Sequence, residues 1–192
     1  MGVKDINEIA LRLARRVFDQ RLIENQFRSA FIEAMIEPYL EPYGWRYVGD
    51  GWSGWDFEHD NGSRLEIKQS AAQQTWSSPR KIRTRGAFDI APRKGYYCEG
   101  GSKYAAVAGR CAQTYMFAWN GVYDPEIGPT ETDHRDPAQW EFYVVATSSL
   151  PKKEQRTISL SRVKTLAAPV TLPNLGATTN CVAFPDSEPA VE

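Results

Sequence analysis

The chain contains 192 residues, of which 42% are hydrophobic and 12% aromatic. This composition excludes a wholly disordered protein, and the length predicts one domain with a full hydrophobic core. The formal net charge of −1 argues against indiscriminate binding of nucleic acid. Residues 1–10 carry charges and no apolar run, so we expect neither a signal peptide nor a membrane partner.

Cysteine usage and charge distribution narrow the class of protein. The three cysteines are widely spaced and lack histidine partners at zinc-binding spacing, so we expect a reduced, cytoplasmic protein without structural zinc. Residues 80–110 contain eight basic and two acidic side chains, whereas residues 121–142 contain six acidic and one basic. One surface could therefore hold phosphates, and ordinary solvated charges are the alternative explanation.

Two helices are predicted at the start of the chain. Apolar residues recur at helical spacing from Ile6 to Phe18 and again from Glu24 to Glu37, where Pro38 is expected to end the helix. Glu33 is expected on the edge of the core-facing stripe of the second helix. That predicted stripe consists of Phe27, Ala30, Phe31, Ala34 and Met35.

A strand at 45–48 is followed by a predicted hairpin with alternating charged and apolar residues. Leu65 and Ile67 alternate with Glu66 and Lys68, the period-two pattern of a half-buried strand. The run Asp60-Asn61-Gly62 just before that strand is a strong turn signal. The charged pair should therefore share the face opposite to the core.

The length of the turn decides whether Asp56 joins that charged face. A two-residue turn would pair Asp56 with Ile67 and direct the two acids to opposite faces. A three-residue loop with a left-handed Gly62 would pair Asp56 with Glu66 and bring both acids and Lys68 together. Such a group can hold a divalent cation against a phosphodiester, although alternating Glu and Lys is also typical of a solvated strand.

The rest of the chain predicts further strands and two more helices. Strands are expected at 88–90, 115–119 and 142–146, and helices at 103–113 and 161–166. These elements predict an α/β protein with a central mixed sheet flanked by helices.

The sequence also predicts the domain organisation and the use of cofactors. Residues 1–173 form the single predicted domain, and residues 174–192 are expected to be a loosely ordered tail. Gly100 and Gly101 lack the strand and helix context of a phosphate loop, so no nucleotide cofactor is expected.

The acids and their order along the chain resemble a known superfamily. A helical Glu33, then Trp55-Asp56, then the run Leu65-Glu66-Ile67-Lys68-Gln69-Ser70-Ala71 are similar to the PD-(D/E)XK phosphodiesterases, the restriction-endonuclease-like nucleases. Over about residues 20–165 the chain looks like a branch of small bacterial proteins of that superfamily. The resemblance implies an αβββαβ core and a metal-dependent DNA endonuclease of a restriction or phage-defence system. It also implies a homodimer that acts on duplex DNA.

The resemblance implies a role for each residue of the site. Asp56, Glu66 and the carbonyl of Ile67 would hold Mg²⁺, for which Mn²⁺ would substitute. Lys68 would orient or help to deprotonate the attacking water and counter charge on the phosphate. Glu33 would hold a metal-bound water or a second ion.

Other residues are expected to contact the nucleic acid. Arg110 either contacts phosphate or belongs to an ordinary helix surface, and Gln69 is assigned to the same interface although the resemblance leaves its role open. The densest basic group consists of Arg80, Lys81, Arg83 and Arg85.

Two other functions compete with the nuclease. A non-catalytic nucleic-acid-binding or assembly subunit would retain the fold, but it has no physical need for three charges that are costly to desolvate. A glycoside hydrolase would use paired carboxylates and aromatic residues, but it would not require Lys68 beside Glu66.

Overall fold

The computed structural model describes residues 5–49, 53–76, 83–98, 102–123, 131–152 and 154–185. The protein is α/β, with a five-stranded mixed sheet and flanking helices. In chain order the elements are α1 (Ile6–Phe18), α2 (Asn25–Leu40), β1 (Trp45–Tyr47), β2 (Phe57–His59), β3 (Arg64–Ala71), β4 (Ala87–Asp89), β5 (Tyr96–Cys98), β6 (Lys103–Ala105), β7 (Thr114–Asn120), β8 (Trp140–Ala146), β9 (Thr157–Ser159), α3 (Leu160–Val163) and α4 (Leu175–Ala183).

The sheet runs in the order β1-β2-β3-β7-β8. Strands β3 and β7 are parallel, and the other neighbours are antiparallel. Strand β7 is buried along its whole length, as the apolar run at 115–119 predicts. The predicted strands at 88–90 and 142–146 and the short helix near 161 are also confirmed, with small shifts of their ends.

The two faces of the sheet carry separate hydrophobic cores. Helices α2 and α4 cover one face, where Ile32 and Leu175 pack against apolar residues of β3, β7 and β8. On the other face, Phe88 and Ile158 from the pair β4–β9 pack against Phe117. The pair β4–β9 and the short helix α3 therefore cover the second face, while α2 and α4 cover the first.

Both predicted N-terminal helices exist, but α2 differs in its end and in its buried face. Pro38 lies inside the last turn, because the buried Leu40 holds that turn against the core although proline donates no hydrogen bond. The buried residues are Arg28, Ile32, Ile36 and Leu40, whereas the predicted stripe is half-buried or exposed. Helix α1 has no buried residue, and Ile6 on it is 77% exposed.

The predicted helix at 103–113 is wrong. Residues 103–105 form β6, which pairs with β5, and Gly109 makes a two-way backbone bridge with Arg93. Hairpin pairing with β5 and the bridge to Arg93 override the helix propensity of the alanines here. In the described part of the connection from β3 to β7 there is no helix, so the αβββαβ order implied by the resemblance is not observed there.

The expectation that residues 174–192 form a loosely ordered tail is wrong for the part that contains α4. Helix α4 starts at Leu175, which is fully buried, and Thr179 on the next turn is buried as well. The helix packs on α2 and β8, because a small apolar face at its start matches the sheet. Residues 186–192 of the predicted tail lie outside the described residues.

Candidate functional site

A cavity of 410 Å³ lies where α2, the β2–β3 hairpin and the β5–β6 hairpin meet. Its lining contains all four residues that the sequence assigned to catalysis, together with Ile67 and the additional Arg93. The four come from three separate segments, namely Glu33 from α2, Asp56 from the residue before β2, and Glu66 and Lys68 from β3.

The loop between β2 and β3 has the odd length on which this convergence depends. The amide of His59 donates to the carbonyl of Ser63 at 2.8 Å, which leaves residues 60–62 as the loop. Gly62 has a φ of 85°, a left-handed conformation that glycine adopts without a steric penalty. Of the two turn lengths that the sequence left open, the structure therefore has the three-residue loop that the metal-site interpretation requires.

Regular pairing ends just before the acids. Phe57 pairs with Leu65, but the amide of Asp56 also donates to the carbonyl of Leu65 at 3.0 Å, so two residues oppose one, as in a β-bulge. Direct strand pairing of Asp56 with Glu66 is thus not observed. Instead, the amide of Ile67 donates to Oδ2 of Asp56 at 2.6 Å, which holds the carboxyl group at the cavity.

Glu66 lies between two cationic side chains. Its Oε1 accepts a hydrogen bond from Nζ of Lys68 and another from Nη2 of Arg93, the latter at 3.3 Å. The Glu66 side chain is only 5% exposed, whereas that of Arg93 is 51% exposed. Partial burial of Arg93 opposes its charged form, but the carboxylate of Glu66 outweighs this and raises the pKa of Arg93. The cavity therefore contains positive charge that solvent can reach.

Burial and mutual repulsion perturb the other acids. Burial raises the pKa of Asp56 to about 8, with further contributions from the charges of Glu66 and Glu33, while the Ile67 amide and Lys68 act in the opposite direction. Burial also raises the pKa of Glu33, although Tyr47 donates a hydrogen bond to its Oε2 at 3.1 Å and lowers it. The three acids thus repel one another when they are ionised, and a bound cation would reduce that repulsion.

The oxygen donors suit a hard cation. Within the described ranges, no three His, Cys, Asp or Glu side chains form a group that could hold a metal. The donor set expected from the sequence requires only two carboxylates, Asp56 and Glu66, with the carbonyl of Ile67, and all of these residues line the cavity. Such a set fits Mg²⁺ or Mn²⁺, which prefer oxygen ligands and retain several waters.

A buried arginine connects the two main elements of the site. Arg28 on α2 is 1% exposed and donates to Oε1 of Gln69 at 2.5 Å, to Oε1 of Gln74 at 3.1 Å and to Oδ1 of Asn25 at 2.8 Å. Burial lowers the pKa of Arg28 to about 10. These hydrogen bonds connect the start of α2 to β3. Helix α2 carries Glu33, and β3 carries Glu66 and Lys68.

Two residues predicted to contact nucleic acid have structural partners instead. Gln69 is bound by Arg28 and Asn25, and its position alternates with those of Glu66 and Lys68 along β3, so it belongs to the face that α2 covers. Arg110 donates from Nε to the carbonyl of Ile90 at 2.8 Å, and its other nitrogens donate to three carbonyls of residues 151–155. Neither is on a helix surface or in the cavity lining.

The basic group is only partly described. Arg83 and Arg85 are exposed and are not in the cavity lining, while Arg80 and Lys81 lie outside the described residues. Phosphate binding by this group stays a prediction.

Arg93 and three tyrosines of the cavity lining were not predicted as site residues from the sequence. Arg93 counted only toward the charge of its segment, and its approach to Glu66 depends on the bridge between Arg93 and Gly109. The available signal was the run Arg93-Lys94-Gly95-Tyr96-Tyr97, in which basic and aromatic residues are adjacent. The missed tyrosines of the lining are Tyr96, Tyr97 and Tyr104.

Searches against protein-family models, curated proteins and solved structures found no match to this chain. A function is therefore inferred from the residues of the cavity alone. Within the described part of the chain, no helix combines the length and apolar character that crossing a membrane requires.

Proposed function

We propose that this protein is a metal-dependent phosphodiesterase that cleaves DNA. The observation that supports the proposal is the convergence of Glu33, Asp56, Glu66 and Lys68 on one cavity with the solvent-accessible Arg93. A metal-dependent phosphodiesterase uses acids that bind the cation and cationic side chains that neutralise charge on the phosphate, and this cavity contains both.

Each side chain has a distinct part in this proposal. Asp56, Glu66 and the carbonyl of Ile67 would hold Mg²⁺ or Mn²⁺, which supplies Lewis-acid stabilisation and lowers the pKa of bound water. Lys68 orients the attacking water and neutralises charge that develops on the phosphate. Arg93 binds a non-bridging phosphate oxygen, and Glu33, oriented by Tyr47, accepts a hydrogen bond from water in the cavity.

The competing function is a non-catalytic nucleic-acid-binding subunit. One observation favours it: Glu66 already has two cationic partners and therefore does not require a metal ion for charge neutralisation. The two functions differ in cation binding, since only the enzyme needs Asp56 and Glu66 as ligands. Action within restriction or phage defence, homodimer formation and a cytoplasmic location stay predictions.

The deciding experiment measures cleavage of labelled DNA, RNA and oligosaccharide with Mg²⁺, with Mn²⁺ and with chelator. We expect cation-dependent DNA cleavage that Glu66→Gln and Lys68→Met each reduce by at least about 100-fold, while DNA affinity changes less than about threefold. Glu58→Gln is the matched control, because Glu58 lies on the same hairpin but pairs with Arg46 outside the cavity. Calorimetric cation binding that the Glu66 change abolishes would be expected as well.

Two outcomes would contradict the proposal. One is the absence of cation-dependent cleavage of any nucleic acid by the wild-type protein, which together with cation-independent DNA binding would favour the non-catalytic subunit. The other is cleavage at the parent rate by the Lys68 variant. Cleavage of oligosaccharide alone would support the glycoside hydrolase.

A further inference from the structure

Aromatic side chains of the β5–β6 hairpin form part of the cavity lining, to which α2 also contributes. Tyr97 and Tyr104 belong to the β5–β6 hairpin and line the cavity, and they are 38% and 52% exposed. Their ring centroids are 5.1 Å apart with an interplanar angle of 59°. These two rings, which we call the tyrosine wall, lie beside Arg93 and the acids in the same lining.

The fold holds the tyrosine wall in place by backbone contacts. Tyr97 and Tyr104 are cross-strand partners, and Ser53 forms a bridge with Tyr97 that joins the hairpin to the segment before β2. Gly95 gives the Tyr104 ring its space, because an added Cβ would lie 2.3 Å from the Tyr104 hydroxyl oxygen. The third tyrosine, Tyr96, packs against Trp55 with centroids 5.1 Å apart and so anchors the hairpin to the second core.

The position of the wall restricts the substrate. An aromatic ring binds a nucleobase by stacking on its face, and in a duplex the faces of the bases are already covered by neighbouring bases. A cavity of 410 Å³ is of the size that holds one small ligand or one nucleotide unit. The cavity that presents Arg93 to a phosphate is thus also lined by two rings on which an unpaired base can stack.

We propose that the substrate is single-stranded nucleic acid, with unpaired bases stacked on Tyr97 and Tyr104 while the adjoining phosphate enters the cavity. This inference rests on the proposed phosphodiesterase function and differs from the duplex substrate that the resemblance implies. Stacking tolerates any base, so recognition depends on strandedness and not on sequence.

The test compares a fluorescein-labelled single-stranded DNA 20-mer, the same strand in a duplex and the RNA of the same sequence. Affinity is measured by anisotropy in chelator, and cleavage is measured with Mg²⁺. We expect tighter binding and faster cleavage of the single strand than of the duplex. Tyr97→Leu and Tyr104→Leu should each weaken single-strand affinity by about 5- to 150-fold, the loss typical of one stacked base.

Two further variants separate stacking from structural damage. Tyr104→Phe retains the ring and should retain single-strand affinity within about twofold. Tyr39→Leu is the matched control, because Tyr39 is 36% exposed on α2 and is not in the cavity lining. Circular dichroism and urea unfolding of each variant show whether the fold is intact. If either leucine variant is unfolded, Tyr97→Met or Tyr104→Met, which keeps apolar volume but has no aromatic face, replaces it and should give the same selective loss.

The outcomes distinguish this inference from the proposed function. Cleavage of duplex DNA that equals or exceeds cleavage of the single strand, with leucine variants unchanged, would overturn the inference and leave the phosphodiesterase standing. Selective single-strand binding that depends on the tyrosine wall, without any cation-dependent cleavage, would support the binding site and contradict the enzyme. A preference for single-stranded RNA over single-stranded DNA would support single-strand recognition. It would also show that the substrate is RNA and not the DNA of the proposed function. Failure to bind any of the three nucleic acids would overturn both proposals.

Discussion

His134 is expected to make the folded protein sensitive to acid. The residue is fully buried, its Nδ1 accepts a hydrogen bond from the amide of Ile23 at 3.0 Å, and its Nε2 lies 3.2 Å from the carbonyl of Gln73. These partners require a neutral ring with the proton on Nε2. Burial, with the nearby charge of Arg28, lowers the pKa of His134 from 6.5 to about 4.

The sign of the pH effect follows from proton binding. Below pH 6.5 the unfolded chain protonates this histidine, whereas the folded chain does so only near pH 4, so acid favours unfolding. The stabilisation is complete above pH 6.5 and is lost as the pH falls toward 4. At 1.36 kcal/mol per pH unit, the interval corresponds to about 3 kcal/mol, a substantial part of the ~5–15 kcal/mol of a typical domain.

The assay is urea unfolding, followed by tryptophan fluorescence, at several pH values between 7.5 and 4.5. His134→Asn keeps an acceptor for the Ile23 amide but does not titrate. We expect this variant to be less stable at pH 7.5 by about 1–3 kcal/mol and to lose less stability than the wild type on acidification. His59→Gln is the control, since it removes the other histidine without touching this contact. Equal pH slopes for the wild type and His134→Asn would show that His134 is not the source of the acid sensitivity.

Three further predictions address the site, the interface and the fold. If Asp56 is a metal ligand as proposed, a cation must displace its proton, so Mg²⁺ affinity measured by calorimetry should rise up to about tenfold per pH unit from pH 6 to about 8, and a flat profile would contradict this. Leu175→Ala should lower the free energy of urea unfolding by about 2–5 kcal/mol, since the residue is fully buried, whereas a loose tail would give no change. A joint change of the basic group to glutamine should weaken DNA binding and flatten its salt dependence, and an unchanged salt slope in anisotropy titrations would argue against phosphate contacts. The residues changed in that variant are Arg80, Lys81, Arg83 and Arg85.

Hydrophobic alternation and turn residues were sufficient to predict several strands of the central sheet. The alternation of residues 65–68 and the turn signal of Asp60-Asn61-Gly62 predict the hairpin, because both depend on neighbours within a few residues, but they leave the length of the loop open. The apolar run at 115–119 predicts the buried strand β7 for the same reason. The pair Glu66 and Lys68 follows from these local features, and Asp56 and Glu33 follow from the resemblance.

The residues that complete the cavity could not be identified before the chain was seen folded. Arg93 reaches Glu66 through a backbone bridge to Gly109, and the tyrosine wall exists because residues 103–105 pair with β5 and do not form a helix. Gln69 and Arg110 are polar residues that the sequence cannot distinguish from ligand-binding ones, and their partners lie about 20 to 45 residues away in the chain.

The α/β class and the hairpin with its charged pair Glu66 and Lys68 follow from the sequence alone, because alternation and turn chemistry act over a few residues. The tertiary structure decided the buried face of α2, the packing of α4 and the cationic and aromatic walls of the cavity. Each of these depends on which distant segment supplies the contact, and hydrophobic burial and backbone pairing select that segment only when the whole chain is folded.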